Sequence, residues 1–552
     1  MPGSPSHATP SRAREGTGLT ALGLVLVIGA VYALSGSGRV DMIDGQFRFE
    51  VARNLLETGS PALEDPALVP FGVPSADGQV YSRYGIGGSL TAMPAMWLVS
   101  GLEDPKGELA RFAFSFTSAL FAALCCGLLY VFYRQLGVAA RAALGWTLAC
   151  AFATLLWPGA VTSFTNAQTA PFLLLALLWA HRAATRESTG LALAAGLSAG
   201  LLLLFEEYFL VLIPVLGLAV LQGGPVDGGL GRWLKAQFHP AALRQPRSAA
   251  RRYVAFAAGV ALGLGLFLAF NAWRFGSPFT SGKSANLPSD HPFLGNPLAG
   301  FLGLLVSPGK GILWYSPPVL LAVAGLRHLW RRHASLVLAM LGVTTALVLL
   351  ISPLAFYGGE WCWGPRYLLP LVPAWALAFP FVPWRRAAVA SVLVAGVLVQ
   401  VLGISVDHQR FFFERGWGPF FWGTDPWYTF RESALVARVG EAWSLREGPP
   451  VEARTFTPAP YPEFLTYAPF GPPRRLLPRE KEWVRQFTVF YVPRPWPLWM
   501  GGPGAEQSPV DTQRWVLCFV LLGALGGVVL RRGLSVESEE LTVDEPRVGV
   551  SG

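Results

Sequence analysis

Transfer of a group onto an alcohol needs a carboxylate that can take the hydroxyl proton. If the group leaves from a phosphate, it also needs a fixed cation to hold that phosphate. Both kinds of residue stand at the ends of apolar runs in this chain. Asp44 lies in RVDMIDGQFRFEVARNLLETG (39–59), directly after the first such run. Arg366 follows Gly364-Pro365 at the start of a later one, and its planar guanidinium suits two-pronged binding of a phosphate. Lys310 sits between Gly309 and Gly311, where backbone N–H groups can approach an anion closely. Arg274 ends another apolar run, in NAWRFGSPFTSGK (271–283). Three cations at one level with a carboxylate opposite fit a lipid phosphate and a group to be transferred. Asp44 is therefore the acidic candidate, and the phosphate-binding candidates are Arg366, Lys310 and Arg274.

Each candidate also has a plainer reading. Asp44-Gly45 reads as a helix start, with Asp44 as a cap paired to Arg48 one turn on. A cap can still serve as a base. Arg366 at a helix end is also suited to snorkelling. Asp41 reads better as a solvated neighbour than as a second catalyst. Glu50, Tyr81, Arg83, Tyr84 and Asn166 are candidates for the cavity edge, although interfacial Tyr and Arg are ordinary anchors. Glu206 and Glu207 interrupt LLLLFEEYFLVL, where an unpartnered charge costs several kcal/mol. Glu206 is kept as a cavity candidate, with the turn of a helical hairpin as the preferred reading of the pair. His291 and His408 have no companions at metal-ligand spacing.

The elements that must carry these residues follow from composition. Hydrophobic residues make up 52% of the 552 and charged residues 14%, which points to a polytopic membrane protein. The net charge of +9 could suggest nucleic acid. It is better explained by arginines in short loops on one side of a membrane, so no nucleic-acid partner is expected. Apolar runs long enough for a membrane core of ~30 Å predict about twelve helical spans. They fall at 18–35, 110–133, 143–160, 168–181, 190–205, 207–222, 253–271, 312–327, 334–351, 366–382, 387–405 and 514–530. Alternate loops, with Arg12, Arg14 and Glu15 before the first span and Arg531 and Arg532 directly after the last, hold nineteen basic and three acidic residues, against five basic and ten acidic in loop 36–109. By the positive-inside bias both termini are cytoplasmic and 36–109 is an outer loop. Calling Ile86–Leu102 a span would reverse this, so it reads as an interfacial or re-entrant segment.

The expected organisation is a cytoplasmic tail (1–17), a membrane domain (18–405) and an aromatic-rich outer cap (406–513). A last span (514–530) and a disordered acidic tail (531–552) follow. Phe47, Val51 and Leu55 recur at i+4, and Gly59 suits a helix end, so 44–59 predicts a short amphipathic helix along the interface. Five cysteines, four of them in apolar spans, make no disulfide framework.

Five segments carry a family resemblance: DGQF…ARNLLETG, DGQVYSRYGIGGSL, NAWRFGSPFTSG, SPGKGILWYSPP and WCWGPRYLLP. Together with the order of elements they resemble the GT-C membrane glycosyltransferases. The likeness is to family 39-like, phospholipid-carrier-dependent members related to protein O-mannosyltransferases and aminoarabinose transferases. It covers about residues 18 to 405. It implies a GT-C-like all-α bundle with interfacial helices in the first outer loop. It also implies transfer of a hexosyl or pentosyl sugar from a polyprenyl-phosphate donor to a lipid, glycan or protein hydroxyl. In this reading the active face lies outside a bacterial inner membrane, Asp44 is the base and the sugar is inverted.

The chain departs from the family pattern in one respect. Where many relatives carry a Glu after that Asp and a second carboxylate after the third span, this chain has Gly45 and, by position, Asn166. A two-carboxylate site for a divalent cation therefore lacks its ligands, with Asp41, Glu50 or Glu206 as substitutes among which nothing chooses. The cofactor stays unassigned. The alternatives are a transporter or flippase of a lipid-linked saccharide, and an O-antigen polymerase or ligase type of enzyme. The first would need the cationic cavity but no base. The second would not place an acidic loop directly after the first span.

Overall fold

The structure, a computed structural model, describes residues 10–36, 38, 40, 43–65, 68–69, 72–102, 108–221, 247–285, 295–354, 356–359, 362–405, 411, 429–431, 433–444, 464–465, 474–475 and 512–543. Asp41, His291, His408 and most of the expected cap lie outside them. The described chain is helical, with extended pairing confined to two short hairpins and one isolated bridge. Among the described residues six helices, with Val319–Ile351 counted as one, are long and apolar enough by length and composition to cross a membrane.

The first is α1 (Pro10–Ser35), packed along its length on α19 (Thr512–Val543). Gly23 sits against the backbone of Leu530, Gly526 against Val27 and Gly533 against Thr20, so the two helices run antiparallel at close range. Small residues permit this approach, which maximises dispersion contact where lipid removes the hydrophobic drive. The helix α19 continues well past position 530. The tail expected to be disordered from 531 is therefore helical as far as Val543. Glu537 explains why. It is buried, and its carboxylate accepts from Thr20 Oγ1 (2.8 Å), Tyr130 Oη (2.7 Å) and Arg134 Nε (2.7 Å). A composition that reads as a solvated acidic tail thus carries one residue with a specific socket.

The loop after α1 forms α2 (Ile43–Glu57), a β1–β2 hairpin (Val73–Pro74, Val80–Tyr81), α3 (Gly87–Val99) and α4 (Glu108–Ser115). Phe47 and Val51 pack with Leu63 and Leu68, as their i+4 spacing predicts. The opposite face of α2 is covered as well: Phe49 and Ala52 pack with Ala92, Met96 and Phe114. Asp44, Arg48 and Glu50 on α2 are accordingly buried, while Arg53 is half-buried and Glu57 exposed. Glu50 holds Arg53, Asn54 and the Asp65 N–H. At 13 residues α3 is about 20 Å long, too short to span, and it exposes Trp97 and Leu98.

The core bundle comprises α5 (Thr117–Gln135), α6 (Ala140–Ala153), α7 (Leu156–Ala160), α8 (Asn166–Arg186), α9 (Thr189–Leu202), α10 (Ile213–Leu221) and α11 (Arg247–Phe275). After the short α12 (Gly282–Ala285), α13 (Pro297–Leu305) and α14 (Ile312–Tyr315), α15 covers Val319–Ile351.

Two expected spans differ from their prediction. Pro317 and Pro318 break the run at 312–327, so its helix begins only at Val319. The span expected at 366–382 is a 3-10 turn (Arg366–Leu371), α16 (Val372–Ala376) and a second 3-10 turn (Phe379–Phe381). Pro370, Pro373 and Pro380 remove N–H donors and disfavour helix just before themselves. Such irregular backbone survives at membrane depth because it is buried within protein.

Within α15, His333 leaves helical geometry (φ −140°, ψ 53°). Its ring lies 5.7 Å from that of His181, near the C-terminus of α8. Both ends of α15 lead to the opposite, Asp44-bearing end: Ser352, just past its C-terminus, packs on Gly300 of α13, and the segments flanking the helix are joined by Lys310 and Cys362. The chain therefore reverses at His333, giving the two segments expected at 312–327 and 334–351. Beyond α17 (Arg386–Ser405), α18 (Ala434–Ser444) packs on it, with buried Arg438 paired to Glu441 at 3.2 Å.

Glu537→Ala is expected to lower stability by roughly 1–3 kcal/mol, because two buried hydroxyls and a guanidinium lose their shared acceptor. Thermal unfolding of the purified protein measures this. An unchanged midpoint would show that the C-terminal clasp carries no weight.

Candidate functional site

Asp44 occupies the first turn of α2, and its carboxylate faces away from a simple capping role. Oδ1 accepts from the Tyr84 hydroxyl at 2.5 Å, and Oδ2 faces Arg366 Nη1 at 3.3 Å. Both side chains of the ion pair are mostly enclosed, 12% and 13% exposed for Asp44 and Arg366. Burial pushes the Asp44 carboxyl up. The charges of Arg366 and Arg48 and the Tyr84 hydrogen bond outweigh it, so the carboxyl lies below its usual range. Tyr84 is pushed well above the normal phenol range, by burial first and by the Asp44 charge next, and stays a proton donor.

Arg366 owes its aim to the loop before it. Gly364 takes φ +64°, a conformation open to glycine at little cost, and Pro365 then starts the 3-10 turn with Arg366 as its first residue. The guanidinium lies 3.8 Å over Phe164 and 5.1 Å over Tyr367, contacts that fix its plane.

Lys310, expected on a phosphate, is buried instead. Its ammonium donates to Cys362 O (2.6 Å) and Gly364 O (3.3 Å) and contacts Cys362 Sγ (3.2 Å). It ties loop 307–311 to the loop that presents Arg366.

Arg274 is likewise buried, donating to Ser82 O (2.7 Å), Tyr84 O (3.1 Å) and Asn271 Oδ1 (2.9 Å). Its guanidinium lies 4.0 Å over Phe270. It pins the segment that carries Tyr84. The three expected cations therefore do not converge: Arg366 meets Asp44, while Lys310 and Arg274 hold loop backbone.

The structure brings other residues to the site. Arg48, one turn beyond Asp44, lies 4.5 Å over the Tyr84 ring and pairs with Glu206 at 3.1 Å. Glu206 also pairs with Lys283 of α12. The Lys283 ammonium lies 5.6 Å over the ring of Tyr208. Glu206 stands in the connection between α9 and α10, the hairpin turn expected, and there takes part in a mostly enclosed charge network. Among the described residues, Nε and Nη1 of Arg48 and the Tyr208 hydroxyl have no hydrogen-bond partner. Buried donors of this kind are costly unless water or a ligand meets them.

The remaining candidates are peripheral or structural. Tyr81 donates to Asp77 at 2.6 Å, Glu50 serves α2, and Asn166 starts α8 with its carbonyl on Thr169. Arg83 lies against Gly282 through its backbone. Lys283 and Tyr208 were legible only as a basic residue in SGK and an aromatic after EE, both common at membrane ends.

Gly45 explains the departure at the position after Asp44. A Cβ there would collide with Ser163 and Val40, so no carboxylate side chain fits. Among the described residues no group of three His, Cys, Asp or Glu gathers at metal-binding range.

One substitution tests this geometry. Gly45→Ala forces Ser163 and Val40 apart and is expected to lower stability by about 1–3 kcal/mol; an unchanged thermal unfolding midpoint would show that the two neighbours yield freely.

No protein-family model matches this chain, and no curated protein matches it. Among solved structures, it is similar to ArnT from Cupriavidus metallidurans bound to undecaprenyl phosphate, at 13% identity and a TM-score of 0.47, over 78% of this chain and 72% of that one. It is also similar to the archaeal oligosaccharyltransferase AglB from Archaeoglobus fulgidus, in complex with an inhibitory peptide and a dolichol-phosphate. There the identity is 13% and the TM-score 0.38, over 74% of this chain and 60% of that one. The apo oligosaccharyltransferase from the same organism gives the same figures.

Proposed function

We propose that the chain is a membrane glycosyltransferase that moves a sugar from a polyprenyl-phosphate donor to an acceptor hydroxyl on the extracytoplasmic face. Asp44 is the general base and Arg366 the phosphate-holding residue. The observation that carries this reading is the Asp44–Arg366 ion pair, mostly enclosed beside donors that lack partners among the described residues. The motifs that resemble GT-C enzymes surround it.

The pair also supplies a way to tune the base. While Arg366 and Arg48 face Asp44, its carboxyl is a weak base. A donor phosphate gives the Arg366 guanidinium a second anion to satisfy. As the guanidinium turns towards it, burial dominates at Asp44 and the carboxyl becomes more basic. The acceptor O–H then loses its proton to Asp44 as its oxygen attacks the anomeric carbon. The bond from that carbon to the phosphate oxygen breaks, and the charge on the departing polyprenyl phosphate is stabilised by Arg366. Arg48 and Tyr208, with open donors, are placed to meet sugar or acceptor oxygens, and Lys283 adds positive charge. The Lys310 and Arg274 roles are indirect, through the loops that carry Arg366 and Tyr84.

Incubating the purified protein with polyprenyl-phosphate sugars and an acceptor, and measuring released polyprenyl phosphate, tests the reading. Asp44→Asn should lose roughly 10²–10⁴ in rate, the usual value of a positioned base. Cleavage independent of Asp44, or movement of intact donor across vesicles without cleavage, would contradict it. Arg366→Lys should turn over poorly, since a point charge cannot replace the fork; full turnover would remove the two-pronged role.

The pH dependence has a definite sign. Arg366 lowers the Asp44 carboxyl, so Arg366→Gln leaves burial less opposed and raises it. The acid limb of kcat/KM should therefore move to higher pH in that variant than in wild type. A shift to lower pH, or none, would detach Arg366 from the base.

A further inference from the structure

At the end of α8 opposite the candidate site lies a cavity of about 180 Å³. Asn166, the first residue of α8, adjoins the Asp44 region, and Arg186 ends the helix about 30 Å away. The cavity is walled by the last turns of α5 and α8 and by the reversal at His333. Arg182, Arg186, His181 and His333 line it, with Phe132 and Leu178 among its apolar walls.

Cations at helix C-termini are favoured by the helix dipole alone, so their presence is not by itself a site. Three further observations make it one. His181, Arg182 and His333 are half-buried around a concavity, with Arg186 exposed at its mouth. The His181 and His333 rings meet edge to face at 5.7 Å, closing one wall. Among the described residues no carboxylate lines the cavity, and the nearest in sequence, Glu187, faces the buried Arg252 guanidinium at 3.9 Å.

We propose that this cavity binds a phosphate group, supplied by an anionic phospholipid headgroup or by soluble phosphate. The lipid source has the better fit. A basic pocket between membrane helices, at the depth where they end, with apolar side chains alongside, matches a headgroup with its glycerol. The helix α5, about 28 Å long, reaches the polar edge of a bilayer at this turn.

The test uses the full-length protein in nanodiscs of phosphatidylcholine mixed equally with phosphatidylglycerol, with co-retained lipid counted by native mass spectrometry. A parallel arm follows the unfolding midpoint of delipidated protein with inorganic phosphate. The variants are Arg182→Gln/Arg186→Gln, which removes the charge, and Thr185→Trp, which fills the cavity and leaves both arginines. Wild type should retain phosphatidylglycerol over phosphatidylcholine severalfold, and both variants should lose that preference; this result supports the headgroup. No lipid preference, together with a phosphate-raised midpoint in wild type that the variants lack, supports soluble phosphate. Equal retention of the two lipids with no phosphate effect overturns the proposal. So does a preference that both variants keep. Should the double arginine variant fail to fold, Thr185→Trp alone decides between these outcomes.

Discussion

The candidate site depends on one carboxylate held between a phenol and a guanidinium. Asp44 receives the Tyr84 hydroxyl on one oxygen and faces Arg366 on the other, with little water to screen either contact. In such surroundings a charge must be matched or it neutralises, so the positions of Tyr84 and Arg366 decide the state of Asp44. Both partners come from loops, and loops hold a position only if something fixes their backbone. Two buried cations do so. Arg274 takes the carbonyls of Ser82 and Tyr84, and Lys310 takes those of Cys362 and Gly364.

Close backbone approach has a similar effect nearby. The Gly87 N–H donates to Leu204 O at 2.7 Å, which brings the 85–87 turn against the chain leading to Glu206. The charged residues Arg48, Glu206 and Lys283, from three separate segments, join in one chain of ion pairs that starts at Arg48, one turn from Asp44. A buried network of this size, with two arginine donors and a tyrosine hydroxyl unmet among the described residues, is expensive as pure scaffold. That expense is the physical ground for reading it as a place where ligand oxygens bind.

Much of this was legible in the residue order. Apolar run lengths place helices within most of the expected intervals, and residue type and spacing alone mark the Asp44, Tyr84 and Arg366 segments. The effect of proline is harder to read. Pro317, Pro318, Pro370 and Pro373 lie in runs apolar enough to read as continuous spans, yet they break the helices there. The roles of the cations were less legible. Arg274, Lys310 and Arg366 share the same surroundings in sequence, glycine and proline near a helix end. Only tertiary contact separates the one that faces a carboxylate from the two that face carbonyls. Glu537 failed for the opposite reason: its neighbours compose a solvated acidic tail, and its partners Thr20, Tyr130 and Arg134 are hundreds of residues away.

The central claim is that Arg366 exchanges the Asp44 carboxylate for a lipid phosphate. An experimental structure of the protein with a polyprenyl phosphate bound would test it most directly. The account predicts phosphate oxygens within hydrogen-bonding distance of the Arg366 guanidinium, and an Asp44–Arg366 separation longer than 3.3 Å. A bound phosphate remote from Arg366, with the ion pair unchanged, would contradict it.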